Sequence, residues 1–213
     1  MPKLILVRHG QTDYNAQRRY QGHTDIPLNE MGLRQARALQ KRLSHLKLTA
    51  AFCSDLSRAR TTAQIGLEGH SPKLEAEILP GLREASGGRA EGLNYNQMLE
   101  QFPEETKLWQ SDRYNYSPPG GENLKTVLER VSQAIDYITN KHPGEDEVVL
   151  VVAHGGVIGT LLCHYMGMDL NRIWQWRVDS CSLSIVHLYD NASILSLFND
   201  TSHIDSMDLS EGK

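Results

Sequence analysis

Cysteine is scarce in this 213-residue chain: Cys53, Cys163 and Cys181 are its only three. An odd number at wide spacing makes no disulfide framework and fits buried thiols in a reducing compartment. No apolar run approaches the roughly 20 residues that cross a bilayer, so no membrane association is expected. The opening MPKLILVRHG has one Lys, a short apolar run leading straight into charge, and no small-residue cleavage site. It does not read as a signal peptide. Basic residues are not in excess. The 22 Lys and Arg against 26 Asp and Glu leave a net charge of −4, which gives no electrostatic footprint for nucleic acid or an acidic membrane. Repeats, low-complexity tracts and domain linkers are also missing. What remains is a cytoplasmic globular protein of ordinary composition, long enough for one domain over 1–213. The sequons at Asn191 and Asn199 read as chance matches.

Apolar runs alternate with helical patterns along the chain. KLILV (3–7) and EVVLVVAH (147–154) read as strands, the second with both faces buried as in a parallel sheet. TAAFCS (49–54) and KLEAEI (73–78) read as two more. Asn29 is the expected N-cap of a helix running to about His45, and Asp55 suits a helix start. Short helices are expected at 94–101 and 104–111. In the 122–138 helix, Leu124, Val127, Leu128, Val131, Ala134, Ile135 and Ile138 share one face. GVIGTLLCHYMG follows as a helix, then SCSLSIVHLYD and ASILSLFND as a terminal strand pair. A loose tail is expected from about 202. The pattern implies an α/β fold, a three-layer α/β/α sandwich with a mostly parallel central sheet.

Two of the strands end in His followed by Gly. Ligands of open α/β sheets bind outside the carboxyl ends of strands, so His9 and His154 are expected to converge. A neutral imidazole is a competent nucleophile, and the Arg8 guanidinium matches phosphoryl oxygens bidentately. Gly10 lets backbone approach a bound group. Arg58, one turn into a helix after a strand, suits an anion site. Arg60 is its control, a surface cation. Glu84, in the glycine-rich LREASGGRAEG, could protonate a leaving oxygen. A protonated His154 beside a helix N-terminus would reinforce the anion site. Each residue also has a plainer reading: a capped strand-end His, a solvated Arg, or a loop carboxylate paired with Arg83 or Arg89. No HxH, HExxH or carboxylate cluster has metal-ligand spacing, so no metal and no cofactor is expected.

LVRHGQTDYN, QGHTDIPLNEMGLRQA, CSDLSRARTTA, LREASGG, PPGGE and VVAHGGVI occur together and in order. The chain thereby resembles the histidine phosphatase superfamily, in its phosphoglycerate-mutase-like branch, from residue 3 to about 200. The resemblance implies a phosphohistidine intermediate with His9 as nucleophile. Arg8, Arg58 and His154 match the family's phosphate pocket, with Gly155 beside them. Asn15 matches a phosphate-bonding position, Gln21 and Gly22 the adjoining loop, and Glu84 the proton donor. It also implies that no metal is needed.

The chain departs from the family where ASGGRAEG replaces a pattern like DFGxWEG. Ser86 and Gly87 stand for the Asp-Phe pair, and Arg89-Ala90 for x-Trp, which implies a smaller and more polar pocket wall. The long basic insertion of the cofactor-dependent mutases is missing, which favours hydrolysis. The implied function is a phosphomonoesterase for a small phosphorylated metabolite, of the α-ribazole, phosphoserine or broad-specificity kind. The alternatives are a phosphoglycerate mutase and a non-catalytic phosphate-binding protein. Trp109, Tyr114, Tyr116, Trp174 and His203 are candidates for the substrate end, and a homodimer is left open.

Overall fold

The computed structural model describes residues 1–204. Most of the expected tail, 205–213, lies outside them. Six strands form one sheet: β1 (Lys3–Arg8), β2 (Ala50–Cys53), β3 (Glu77–Ile78), β4 (Val148–Ala153), β5 (Leu183–Tyr189) and β6 (Ala192–Asp200). Their spatial order is β3-β2-β4-β1-β5-β6. The first four run parallel, and β5 and β6 complete one side as an antiparallel pair. The helices are α1 (Asp13–Ala16), α2 (Glu30–Leu43), α3 (Ser57–Leu67), α4 (Tyr95–Gln101), α5 (Pro103–Ser111), α6 (Leu124–Lys141) and α7 (Gly155–Tyr165).

The alternation of side chains along each strand builds two cores. Leu4, Leu6, Val149 and Val151 face α6 and α7, where they meet Val127, Val131, Ile138, Ile158 and Leu161. Ile5, Val7, Leu150 and Val152 face α2 and α3, where they meet Ala36, Leu39, Ala59 and Ala63. The result is the three-layer α/β/α sandwich with the mostly parallel sheet. Buried apolar surface is worth roughly 25 cal/mol per Å², so the two-sided burial of β1 and β4 pins both strands in place.

Several boundaries differ from the sequence expectation. The strand expected at 73–78 is only Glu77–Ile78, which pairs with the last two residues of β2 (Phe52↔Glu77 and Cys53↔Ile78). The helix expected from Asp55 begins at Ser57 with no side-chain cap. Asp55 instead accepts two hydrogen bonds from the Arg83 Nε–H (2.8 and 3.0 Å) and one from its Nη2 (2.5 Å). The α6 helix starts two residues late because Asn123 caps it, its Oδ1 accepting from Thr126 N–H. Asn29 does cap α2, through Gly32 N–H.

Register places the two histidines together. Arg8 pairs with Ala153 across β1 and β4, so His9 and His154 are each one residue past the end of adjacent parallel strands.

Candidate active site

The cavity at the carboxyl edge of the sheet has a volume of about 310 Å³. Arg8, His9, Asn15, Gln21, Gly22, Arg58, Glu84 and Gly155 all line it. His154 lies just behind its wall, fully buried, with its ring centroid 5.0 Å from that of His9 in an edge-to-face arrangement.

His9 is buried, and its Nδ1 is 2.7 Å from the Gly10 carbonyl oxygen. A carbonyl can only accept, so Nδ1 carries the proton and Nε2 keeps its lone pair. Burial pushes the His9 pKa well below the ordinary imidazole value, and the charges of Arg58 and Arg8 push it further down. At neutral pH the ring is therefore a neutral imidazole of defined tautomer, with its Nε2 lone pair available. The Gly10 N–H donates to Thr62 Oγ1 at 3.0 Å, which anchors the turn carrying His9 to α3.

Arg58 is fully buried, so the solvated-cation reading does not hold. Its Nε donates to His154 Nδ1 at 3.3 Å, Nη1 to the Thr24 carbonyl at 2.9 Å, and Nη2 to the Gly22 carbonyl at 2.7 Å. Arg8 donates from Nη1 to the Val178 carbonyl at 2.6 Å, and its buried Nε has no partner. Neither guanidinium forms an ion pair with a described carboxylate. Burial lowers both pKa values, and the charge of Glu84 opposes this. Both side chains stay cationic, so the cavity floor carries two positive charges that lack a paired anion. By contrast, Arg60 is exposed.

His154 corrects an expectation. A protonated imidazole does not fit here: its Nδ1 accepts from Arg58, and burial, assisted by the Arg58 and Arg8 charges, holds its pKa well below the ordinary value. The neutral ring then carries its proton on Nε2, which is buried without a partner. That N–H is a donor lacking an acceptor, a costly state unless a ligand supplies one.

Glu84 pairs with neither Arg83 nor Arg89. Arg83 is taken by Asp55, and Arg89 stacks on Phe102, 4.5 Å from the ring centroid. The Glu84 Oε1 accepts Ala85 N–H (2.9 Å), and Oε2 accepts Gly156 N–H (3.1 Å) at the start of α7. A Cβ on Gly156 would overlap Oε1, which explains a second glycine after His154. Asn15 accepts from Thr12 N–H (3.1 Å) at its Oδ1, leaving its amide N–H groups free beside the cavity. Gln21 Oε1 accepts from Thr12 Oγ1 at 2.8 Å. Gly22 has φ +51°, and a Cβ there would strike Glu91 and Gly87.

Four contributing residues were missed. Glu91 accepts from His23 N–H (2.8 Å), Thr24 N–H (2.8 Å) and Gly87 N–H (3.0 Å), and from the Thr24 hydroxyl. Burial acts to raise its pKa, but these bonds prevail and hold it below the usual carboxylate range. Glu91 thus joins the 21–25 loop to the altered 86–91 wall. His23 Nε2 donates to the Glu84 carbonyl at 3.0 Å. Arg130 and Glu122 form an ion pair under the Glu84 loop (2.9 Å). Glu122 was visible at the end of PPGGE, but Arg130 gave no signal beyond its place on the polar side of α6. Of the substrate-end aromatics, Trp109 and Trp174 line the cavity. Tyr114, Tyr116 and His203 do not, and His203 Nε2 bonds the Cys181 carbonyl instead (3.0 Å). Among the described residues, no three His, Cys, Asp or Glu side chains gather as a metal site.

A neutral imidazole with a free Nε2, two unpaired guanidiniums and a carboxyl stand around one hollow, an arrangement suited to a phosphate ester. The family described as histidine phosphatase superfamily (branch 1) matches residues 4–201. The chain is 35% identical over 212 residues to a metal-independent phosphoserine phosphatase of Arabidopsis thaliana, covering 96% of this chain and 84% of that one. It is 31% identical over 197 residues to an adenosylcobalamin/alpha-ribazole phosphatase of Salmonella typhimurium, covering 92% and 96%. The solved structure of Bacillus stearothermophilus YhfR superposes with a TM-score of 0.87 at 31% identity, covering 96% of this chain and all of the other. The chain belongs to the histidine phosphatase superfamily.

Proposed function

We propose that this protein is a metal-independent phosphomonoesterase that hydrolyses a small phosphorylated metabolite through a phosphohistidine. The observation that carries the reading is the His9 tautomer: Nδ1–H is fixed on Gly10, so the Nε2 lone pair is free at a cavity whose two arginines have no carboxylate partner.

The ester phosphate is a dianion, and its transition state spreads charge over the equatorial oxygens. Arg8, Arg58, the Asn15 amide and the His154 Nε2–H supply fixed donors for that charge. Removing one such donor typically costs about 10²–10³ in rate. His9 Nε2 attacks phosphorus in line, the P–O ester bond breaks, and Glu84 gives its proton to the leaving alkoxide. The ionised Glu84 then takes a proton from water, whose oxygen attacks phosphorus and breaks the P–N bond. Inorganic phosphate leaves, and His9 and Glu84 return to their starting states.

The same reading takes 1–213 as one domain and the cytoplasm as its location. Three free, buried cysteines support the latter, and no described helix is long and apolar enough to cross a membrane. Quenching turnover of a ³²P-labelled aryl phosphate should trap a base-stable, acid-labile phosphoimidazole. His9→Ala should lose both the label and hydrolysis while keeping its circular dichroism spectrum. Full hydrolysis in that variant would remove His9 as nucleophile. A panel of α-ribazole phosphate, phosphoserine and 3-phosphoglycerate identifies the metabolite class. Isomerisation of 3-phosphoglycerate on addition of bisphosphoglycerate would instead indicate a mutase.

A further inference from the structure

The Arg8 guanidinium is aimed by a turn far along the chain. Its Nη1 donates to the Val178 carbonyl at 2.6 Å, and its buried Nε is left without a partner. Holding one nitrogen on the protein in this way presents the Nε edge to an oxyanion. The same turn grips the end of β1 through its backbone. Cys181 N–H donates to the carbonyls of Arg8 (2.9 Å) and His9 (3.3 Å), and Arg8 N–H donates to the Ser182 carbonyl (3.4 Å). The aim of Arg8 is therefore only as fixed as residues 178–182.

Asn199 fixes that turn. Its Oδ1 accepts Asp179 N–H at 2.7 Å, and its Nδ2 donates to Asp179 Oδ2 at 2.9 Å. The two bonds lock the residue next to Val178. Local structure puts Asn199 in reach. Leu183 pairs with Asp200 but Ile185 with Leu197, so β6 carries one extra residue there, a bulge. Asn199 sits in the bulge at φ +51°, a left-handed conformation that Asn adopts more readily than most residues. Cys181 has φ +56°, so two of the three non-glycine residues of positive φ among the described residues belong to this one clasp. Such conformations persist where the surroundings enforce them, and they gather at functional sites. Burial acts to raise the Asp179 pKa, but hydrogen bonds from Asn199 and Arg177 prevail and keep it below the usual carboxylate range. Asn199 itself does not line the cavity. Resting on the phosphatase reading above, we propose that Asn199 is a positioning residue for phosphate binding: through Asp179 it holds the Val178 carbonyl that aims Arg8.

The rival role is structural, with Asn199 only closing the end of the β5–β6 pair, where Phe198 packs edge-on to Trp176 at 5.0 Å. Asn199→Gly separates the two, because glycine keeps the positive φ without strain and removes both side-chain bonds. The readouts are the Kd of inorganic phosphate by calorimetry and kcat/KM for 4-nitrophenyl phosphate. Both should worsen by about tenfold, less than the roughly 10²–10³ of deleting a donor outright. The loss should depend on Arg8. In an Arg8→Met background, Asn199→Gly should change kcat/KM by less than about twofold. A structural role predicts the same factor in both backgrounds, and that result would overturn the proposal. So would an unchanged phosphate Kd in Asn199→Gly. Should that variant not fold, Asp179→Ala removes one of the two bonds from the other side and should show the same coupling to Arg8. Asp179→Asn, which keeps an oxygen to accept from Asn199, should restore most of the affinity. Failure of both would also overturn the clasp. A wild-type protein that binds phosphate but hydrolyses no ester would remove the phosphatase reading instead, and the phosphate Kd would still decide the role of Asn199.

Discussion

An Nη2–H of Arg130 donates to the carbonyl oxygen of Glu84 at 2.9 Å, tying the central helix α6 to the backbone of the carboxyl residue. The same guanidinium reaches the carbonyls of Gly81 (2.9 Å) and Arg83 (2.7 Å) through Nη1. It also pairs with Glu122 through Nε and Nη2 (both 2.9 Å), and Glu122 Oε2 accepts Ser86 N–H at 2.8 Å. One side chain therefore holds the residues on both sides of Glu84. This arrangement fixes the backbone at the start of the glycine-rich segment that follows.

Arg130 is accordingly a positioning residue for proton transfer. Arg130→Met should slow esters with poor leaving groups, such as alkyl phosphates, by about 10²-fold, the lower range for general acid catalysis. Esters with good leaving groups, such as 4-nitrophenyl phosphate, need little protonation and should slow much less. The check is the slope of log kcat/KM against leaving-group pKa, which should steepen as it does in Glu84→Gln. A uniform loss across leaving groups would mark Arg130 as structural only.

Gly156 offers a second route to the same slope. Its missing side chain gives room to Glu84, whose Oε2 rests on the Gly156 N–H. Gly156→Ala should displace the carboxyl without touching His9, Arg8 or Arg58. Phosphohistidine formation from an aryl phosphate should persist, while turnover of alkyl phosphates falls by at least about tenfold. Single-turnover quench measurements with the two ester types separate these outcomes. Equal rates for wild type and variant would mean that the carboxyl does not act at this place.

Hydrolysis should survive a chelator. The cavity floor supplies its positive charge from Arg8 and Arg58, and no described carboxylate cluster stands there to hold a divalent ion. Dialysis against EDTA should leave aryl phosphate turnover unchanged. Loss of turnover that a divalent ion restores would count against the proposed charge stabilisation.

The layers and the floor of the site were legible in the sequence because their signals are local. Unbroken apolar runs at 3–7 and 147–154 announce strands buried on both faces, and each ends in His-Gly, so register alone brings His9 to His154. The supporting polar residues were not legible, because their partners are distant in the chain. Glu91 meets His23 and Thr24 across nearly 70 residues, with |i−j| of 68 and 67, and nothing in either segment announces the other. The charge state of His154 failed for the same reason. A protonated His154 would have reinforced the anion site at the start of α7, but burial beside the distant Arg58 keeps the ring neutral. The short β3 shows the limit of pattern reading at an edge, where only Glu77 and Ile78 of the apolar-polar run meet the neighbouring strand.

Folding stability should carry the signature of the two buried imidazoles. Burial, assisted by neighbouring positive charge, depresses the folded pKa of both His9 and His154 well below 6.5. Above about pH 6.5 the unfolded imidazoles are neutral as well, so neither residue makes stability depend on pH. Below it the unfolded chain takes up protons that the folded chain refuses, and stability falls as pH falls. Each histidine should contribute a slope of about 1.4 kcal/mol per pH unit, or roughly 2.7 for the pair, until its folded pKa is reached. The carboxylates whose folded pKa is lowered, among them Glu91, Glu122 and Asp179, add their slopes only nearer pH 4. The interval from about pH 6.5 to 5 therefore reports mainly on histidine. Urea unfolding across it, in buffers free of phosphate so that no anion stabilises the folded state, should show the fall in the wild-type protein. His154→Asn and His9→Asn should each flatten it by about half. An unchanged slope in both variants would mean that the rings take up protons in the folded state, and the neutral nucleophile assigned to His9 would go with it.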